Sequence, residues 1–90
     1  MIVAKTAVEI KSRLGLNLLA SSTLARTAGK FAPRTTIGCG KIQVSAKSVM
    51  ELIMLEAGQG SKLELRAEGN DAIDAVAAIQ ALFEKRFGQE

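Results

Sequence analysis

Residues 46–61 read Ala46-Lys47-Ser48-Val49-Met50-Glu51-Leu52-Ile53-Met54-Leu55-Glu56-Ala57-Gly58-Gln59-Gly60-Ser61. The first ten predict a short helix, with Ser48 near its start and Leu52 and Leu55 at the spacing of core positions. Gly58-Gln59-Gly60 breaks that helix. Beyond the break, Leu63-Glu64-Leu65-Arg66-Ala67 alternates apolar and polar residues, the pattern of a strand with one buried face.

Upstream, residues 34–37 and 41–45 flank Gly38-Cys39-Gly40, two short strands around a glycine-rich tip. Residues 17–31 predict a helix. Asn17 is its N-cap, because an Asn oxygen accepts one of the unpaired N–H groups of a first turn. Leu24, Ala28 and Phe31 are its anchors, Ser21 and Ala25 join them, Gly29 weakens its end and Pro33 stops it. Residues 2–10 read as a half-buried strand, and the charged stretch 11–15 is a loop ending in Gly15. Downstream, Asn70 caps a long helix with Asp71 and Asp74 in its first turns, where the dipole favours negative charge. Its stripe is Ala72, Val76, Ile79 and Phe83, joined by Ala75 and Leu82. Lys85 and Arg86 fall near its end, and Gly88 follows the stop. The order β-α-β-β-α-β-α predicts an α+β open-faced sandwich: a four-stranded antiparallel sheet with three helices on one face.

Ninety residues suffice for one domain over 1–90, burying roughly 60–65% of the unfolded surface. With three Phe and no Tyr or Trp, the core is aliphatic. The chain has no histidine, so the usual proton shuttle and the commonest metal ligand are missing. One cysteine and scattered carboxylates make no metal set, and no cofactor is expected. Cys39 stands alone, which fits a reducing compartment. No apolar run approaches membrane-spanning length, and the first residues lack a signal-peptide layout, so a cytoplasmic protein without a membrane partner is expected. The net charge of +3 is scattered, with no basic block or interleaved aromatics, which argues against nucleic acid. No pair of groups suggests a base and a nucleophile, so the chain is not expected to be an enzyme.

Three stretches then point to a family. Gly15-Leu16-Asn17 opens the first helix, Ala46-Lys47-Ser48-Val49-Met50 opens the second, and Gly58-Gln59-Gly60-Ser61 follows it. In this order and spacing the chain resembles, over essentially its whole length, the HPr phosphocarriers of the bacterial phosphotransferase system. That family carries Gly-[Leu/Ile]-His-Ala-Arg-Pro-Ala where this chain reads Gly15-Leu16-Asn17-Leu18-Leu19-Ala20-Ser21. Against the resemblance, Asn17 stands at the phosphorylated His, Leu19 at the Arg and Ala20 at the Pro. An amide nitrogen is not nucleophilic, because its lone pair is delocalised into the carbonyl. Leu19 also offers a phosphate no guanidinium. A designed knock-out of a true carrier would change the histidine alone, so the triple loss predicts a natural, degenerate relative.

The resemblance leaves Ser48, which matches the serine phosphorylated by HPr kinase. Two readings stand for it: a phosphorylation switch favoured by the helix start and by Lys47, and a plain N-cap. Leu18, Leu19, Lys47, Val49, Met50, Ile53 and Met54 form an expected partner surface, more apolar than usual because Leu19 replaces a cation. Asn17 is expected to be a helix cap, and Glu51 and Glu56 to form the solvated face of the second helix, with setting partner choice by charge as the alternative. The implied partners are proteins: an HPr kinase, phosphotransferase-system enzymes or a transcription regulator. A docking module or decoy without phosphorylation is the alternative.

Overall fold

The computed structural model describes residues 2–31 and 34–89. Their elements run β1 (Val3–Glu9), α1 (Leu18–Ala28), β2 (Arg34–Cys39), β3 (Ile42–Ser45), α2 (Val49–Met54), β4 (Lys62–Glu68) and α3 (Ala72–Glu84), closed by a 3-10 turn at Arg86–Gly88. The strands form one antiparallel sheet in the order β1-β4-β2-β3. The expected open-faced α+β architecture is the observed one.

Alternation decides which face is covered. Val8 and Ile10, with Leu63, Leu65 and Ala67 of β4 and Ile37 of β2, turn inward and are buried. Lys5, Glu9, Lys62 and Glu64 turn to the open face and are exposed. Helix α3 lies against β1 and β4, and α1 packs between α2 and α3. Leu24, Leu52, Ile79 and Phe83 fill the space between the layers. Each such burial contributes about 1.5–3 kcal/mol.

Several boundaries differ from expectation. The first helix ends at Ala28, where the ladder tightens: the Lys30 and Phe31 N–H groups donate three residues back, to the Thr27 and Ala28 carbonyls at 3.1 and 3.2 Å, and Phe31 packs half-buried beyond it. Pro33, its predicted stop, lies outside the described residues. The hairpin tip is tighter than Gly38-Cys39-Gly40. Gly38 and Cys39 pair within β2, opposite Gln43 and Ile42, and the turn is Gly40-Lys41 with Gly40 at φ 61°. Helix α2 starts at Val49 rather than Ala46, whose N–H instead extends the sheet to the Thr35 carbonyl at 2.9 Å. Leu55 closes α2 half-buried and is not a core residue.

The cap of α3 is Asp71, not Asn70. The Ala75 N–H donates to the Asp71 carbonyl at 2.9 Å, while the chain enters from a turn in which the Ala72 N–H meets the Gly69 carbonyl. At the other end α3 stops at Glu84. Arg86 and Phe87 then adopt left-handed φ of 53° and 55°, which folds Phe87 back edge-on to Phe83 at 4.9 Å and 66°. Such conformations persist in non-glycine residues when packing over-determines them, and Phe87 is buried.

Candidate functional site

Two helix starts carry the residues singled out by the sequence. The loop before α1 is fixed by the loop after α2. The Leu16 N–H donates to the Ala57 carbonyl at 2.9 Å, the Gly60 N–H to the Ile10 carbonyl at 2.8 Å, and Gln59 Nε2 to the Lys11 carbonyl at 3.1 Å. Gly58-Gln59-Gly60-Ser61 is therefore more than a helix break: it clamps the approach to α1.

Asn17 is the N-cap of α1, as expected. Its backbone is extended, and Oδ1 accepts the Ala20 N–H at 2.9 Å. Positions 17 and 20 are physically coupled. A proline at position 20 has no N–H to give a cap, so an asparagine cap of this geometry requires a residue such as Ala20. Asn17 Oδ1 also receives a hydrogen bond from Gln89 Nε2 at 3.3 Å. Gln89 is only 9% exposed, brought there by the turn that seats Phe87. Sequence reasoning missed Gln89, because a polar residue past the last periodic position carries no local signal. Asn17→Ala is expected to destabilise the fold by about 1 kcal/mol, lowering the thermal midpoint by about 4–8 °C. Circular dichroism melting checks this, and an unchanged midpoint would contradict the capping role.

At α2, Ser48 is half-buried and extended, and its Oγ accepts the Glu51 N–H at 3.3 Å. Its own N–H donates to the Ser45 carbonyl at 3.3 Å. The neighbouring cation is not poised over it: Lys47 Nζ donates to the Phe31 carbonyl at 2.9 Å. Glu51 is exposed, as expected of a solvated face, yet its Oε1 accepts the Ser45 N–H at 3.1 Å.

Helices α1 and α2 pack together and leave large apolar side chains in solvent. Leu18 and Leu19 are 65% and 60% exposed, Met50 and Met54 71% and 72%. Val49 and Ile53 are half-buried. Leu14, in the loop before α1, is as exposed as these four and was missed, since one leucine in a charged loop has no periodicity. Among the described residues, no group of His, Cys, Asp and Glu could hold a metal ion, and no helix is long and apolar enough to cross a membrane.

This topology, with serine and asparagine caps at two adjoining helix starts, defines a small domain of the open-faced α+β sandwich class. The chain belongs to the HPr family of the phosphotransferase system: the family model described as the PTS HPr component phosphorylation site matches residues 4–85. The phosphocarrier protein HPr of Xylella fastidiosa is 36% identical over 81 residues, covering 90% of this chain and 91% of the relative. Among solved structures, HPr-C-His from Thermoanaerobacter tengcongensis superposes with a TM-score of 0.93 at 33% identity, over 97% of this chain and 98% of that one. The Bacillus subtilis catabolite repression containing protein Crh, in a domain-swapped dimer, superposes with a TM-score of 0.73 at 26% identity, over 87% and 90% of the two chains.

Proposed function

We propose that this HPr-family protein carries no phosphate on its first helix and works by docking on partner proteins through α1 and α2, with Ser48 as a phosphorylation switch. The observation that carries the first half is the commitment of Asn17. Its oxygen caps α1 through the Ala20 N–H and receives Gln89, and the lone pair of its amide nitrogen is delocalised into the carbonyl and does not attack phosphorus. Leu19, exposed to solvent, has no group with which to hold a phosphate. The apolar side chains on α1 and α2 support docking, since exposed methionines suit adaptable contacts. The likeness to a Bacillus subtilis protein named for catabolite repression supports a regulatory role.

Phosphorylation of Ser48 adds a charge of about −1.5 to −2 beside this apolar surface. It favours a partner with an arginine cluster and disfavours an apolar one. The test is incubation with ATP and an HPr kinase from the same organism, followed by mass measurement. Wild type is expected to gain one phosphate and Ser48→Ala none; an unmodified wild type sinks the switch. The engagement of Ser48 Oγ with the Glu51 N–H favours a second reading, a docking module without phosphorylation. That reading predicts partner binding unchanged by Ser48→Asp in a pull-down.

A further inference from the structure

Glu51 is tied at both ends. Its backbone N–H donates to Ser48 Oγ at 3.3 Å, and its carboxylate accepts the N–H of Ser45 at 3.1 Å. Ser45 is the last residue of β3, an edge strand of the sheet. The Ser48 N–H donates back to the Ser45 carbonyl at 3.3 Å, which closes a ring of Ser45, Ser48 and Glu51 joining sheet to helix. In a capping box the carboxylate of the third helical residue returns to the N–H of the cap itself. Here it reaches three residues further back, to the strand, and acts as a brace across the β3–α2 corner.

The surroundings leave this carboxylate exposed to any new charge on Ser48. Lys47, adjacent in sequence, directs its ammonium to the Phe31 carbonyl at 2.9 Å. A cavity of about 280 Å³ beside the corner is lined by Arg34, Thr36, Ser45, Lys47 and Glu51, so there is room for the carboxylate to leave Ser45 toward two cations.

We propose that Glu51 is the residue on which a phosphate at Ser48 acts: like charge drives its carboxylate off the Ser45 N–H and unbraces the β3–α2 corner. This rests on the reading of Ser48 as a phosphorylation site. In that step the γ-phosphoryl group of ATP moves to Oγ and ADP departs. The hydroxyl proton leaves to a base of the kinase. The product is a phosphate ester whose negative oxygens compete for the Glu51 N–H and repel the Glu51 carboxylate, the disruptive arrangement for a phosphate placed next to an acid. Phosphorylation then reaches the edge of the sheet, and Glu51 also opposes the modification electrostatically.

The experiment follows hydrogen exchange of the Ser45 amide by NMR in the full chain, for wild type, Ser48→Asp, Glu51→Gln and the double variant. Asp keeps a capping oxygen and adds one negative charge without a kinase. Gln keeps an acceptor for the Ser45 N–H and removes the charge it would repel. Ser48→Asp is expected to speed exchange at Ser45 about threefold, and a phosphate about tenfold, the protection of one charge-assisted hydrogen bond. In the Glu51→Gln background, Ser48→Asp is expected to leave the rate unchanged. Equal acceleration in both backgrounds, or none in either, overturns the proposal. If a kinase leaves Ser48 unmodified while the Asp variants show the coupling, the brace stands and the phosphorylation switch falls.

Discussion

Gly15→Ala is expected to lower the thermal midpoint by about 15 °C, the larger of two effects that follow from the loop before α1. Gly15 has φ of 66°, a left-handed conformation that costs an L-residue about 1–2 kcal/mol. A Cβ built there lies 2.7 Å from the Ala57 carbonyl oxygen and 3.0 Å from Gly58 Cα. Both are backbone atoms. The same carbonyl holds the Leu16 N–H at 2.9 Å, so it cannot retreat without freeing the bond that aims the chain into α1. Overpacking of this kind adds about 1–3 kcal/mol, which brings the total to about 3 kcal/mol. Gly58→Ala is the control, because a Cβ there meets nothing within 4 Å. Its stability is expected to stay within about 0.5 kcal/mol of wild type. Equal losses in both variants, measured by urea unfolding, would show that close approach is not what position 15 requires.

The second large effect concerns what restores a phosphoryl group. Asn17→His alone is expected to give no stable phosphoprotein with a phosphotransferase-system donor, whereas Asn17→His with Leu19→Arg and Ala20→Pro is expected to accept phosphate. A histidine alone supplies the nucleophile but leaves the phosphate beside Leu19 with no guanidinium. Hydrogen bonds to a charged partner contribute about 1.5–3 kcal/mol each, so the gap between single and triple variants is about tenfold to a hundredfold or more in transfer. The proline matters separately. It removes the N–H that now binds the Asn17 oxygen and so clears a local donor from beside the new ring. Mass measurement after incubation with donor decides the matter. A single variant that transfers as well as the triple would falsify the coupling of positions 17, 19 and 20.

The succession of elements along the chain, the covered face of the sheet and the cap at Asn17 were legible because each rests on a local pattern. Alternation over Leu63–Ala67 places three side chains inward whatever the rest of the chain does. What was not legible depends on partners distant in sequence. Asn70 looked the better cap, but capping depends on where the preceding turn leaves the backbone, and Gly69 delivers the chain so that Asp71 takes the position. Glu51 was legible as exposed, and its bond to Ser45 was not, because a helix wheel shows no strand end. Gln89 meets Asn17 across 72 positions through two left-handed residues and a buried ring, none of which leaves a periodic trace. The proposed absence of a carrier site, by contrast, was read from the motif itself.

The sheet order also sets a sequence of events in time. Among the described residues, β1 lies at an edge and pairs with β4 alone, Val3 opposite Glu68 and Glu9 opposite Lys62. Its hydrogen-bonding partner is thus made only after α1, the β2–β3 hairpin and α2 have been made. Closing so long a loop is an entropic cost met before the pairing rewards it. On the ribosome, β1 emerges well before β4 and is among the last of these strands to be secured, and until then its ladder of N–H and C=O groups is open to any other strand that comes by.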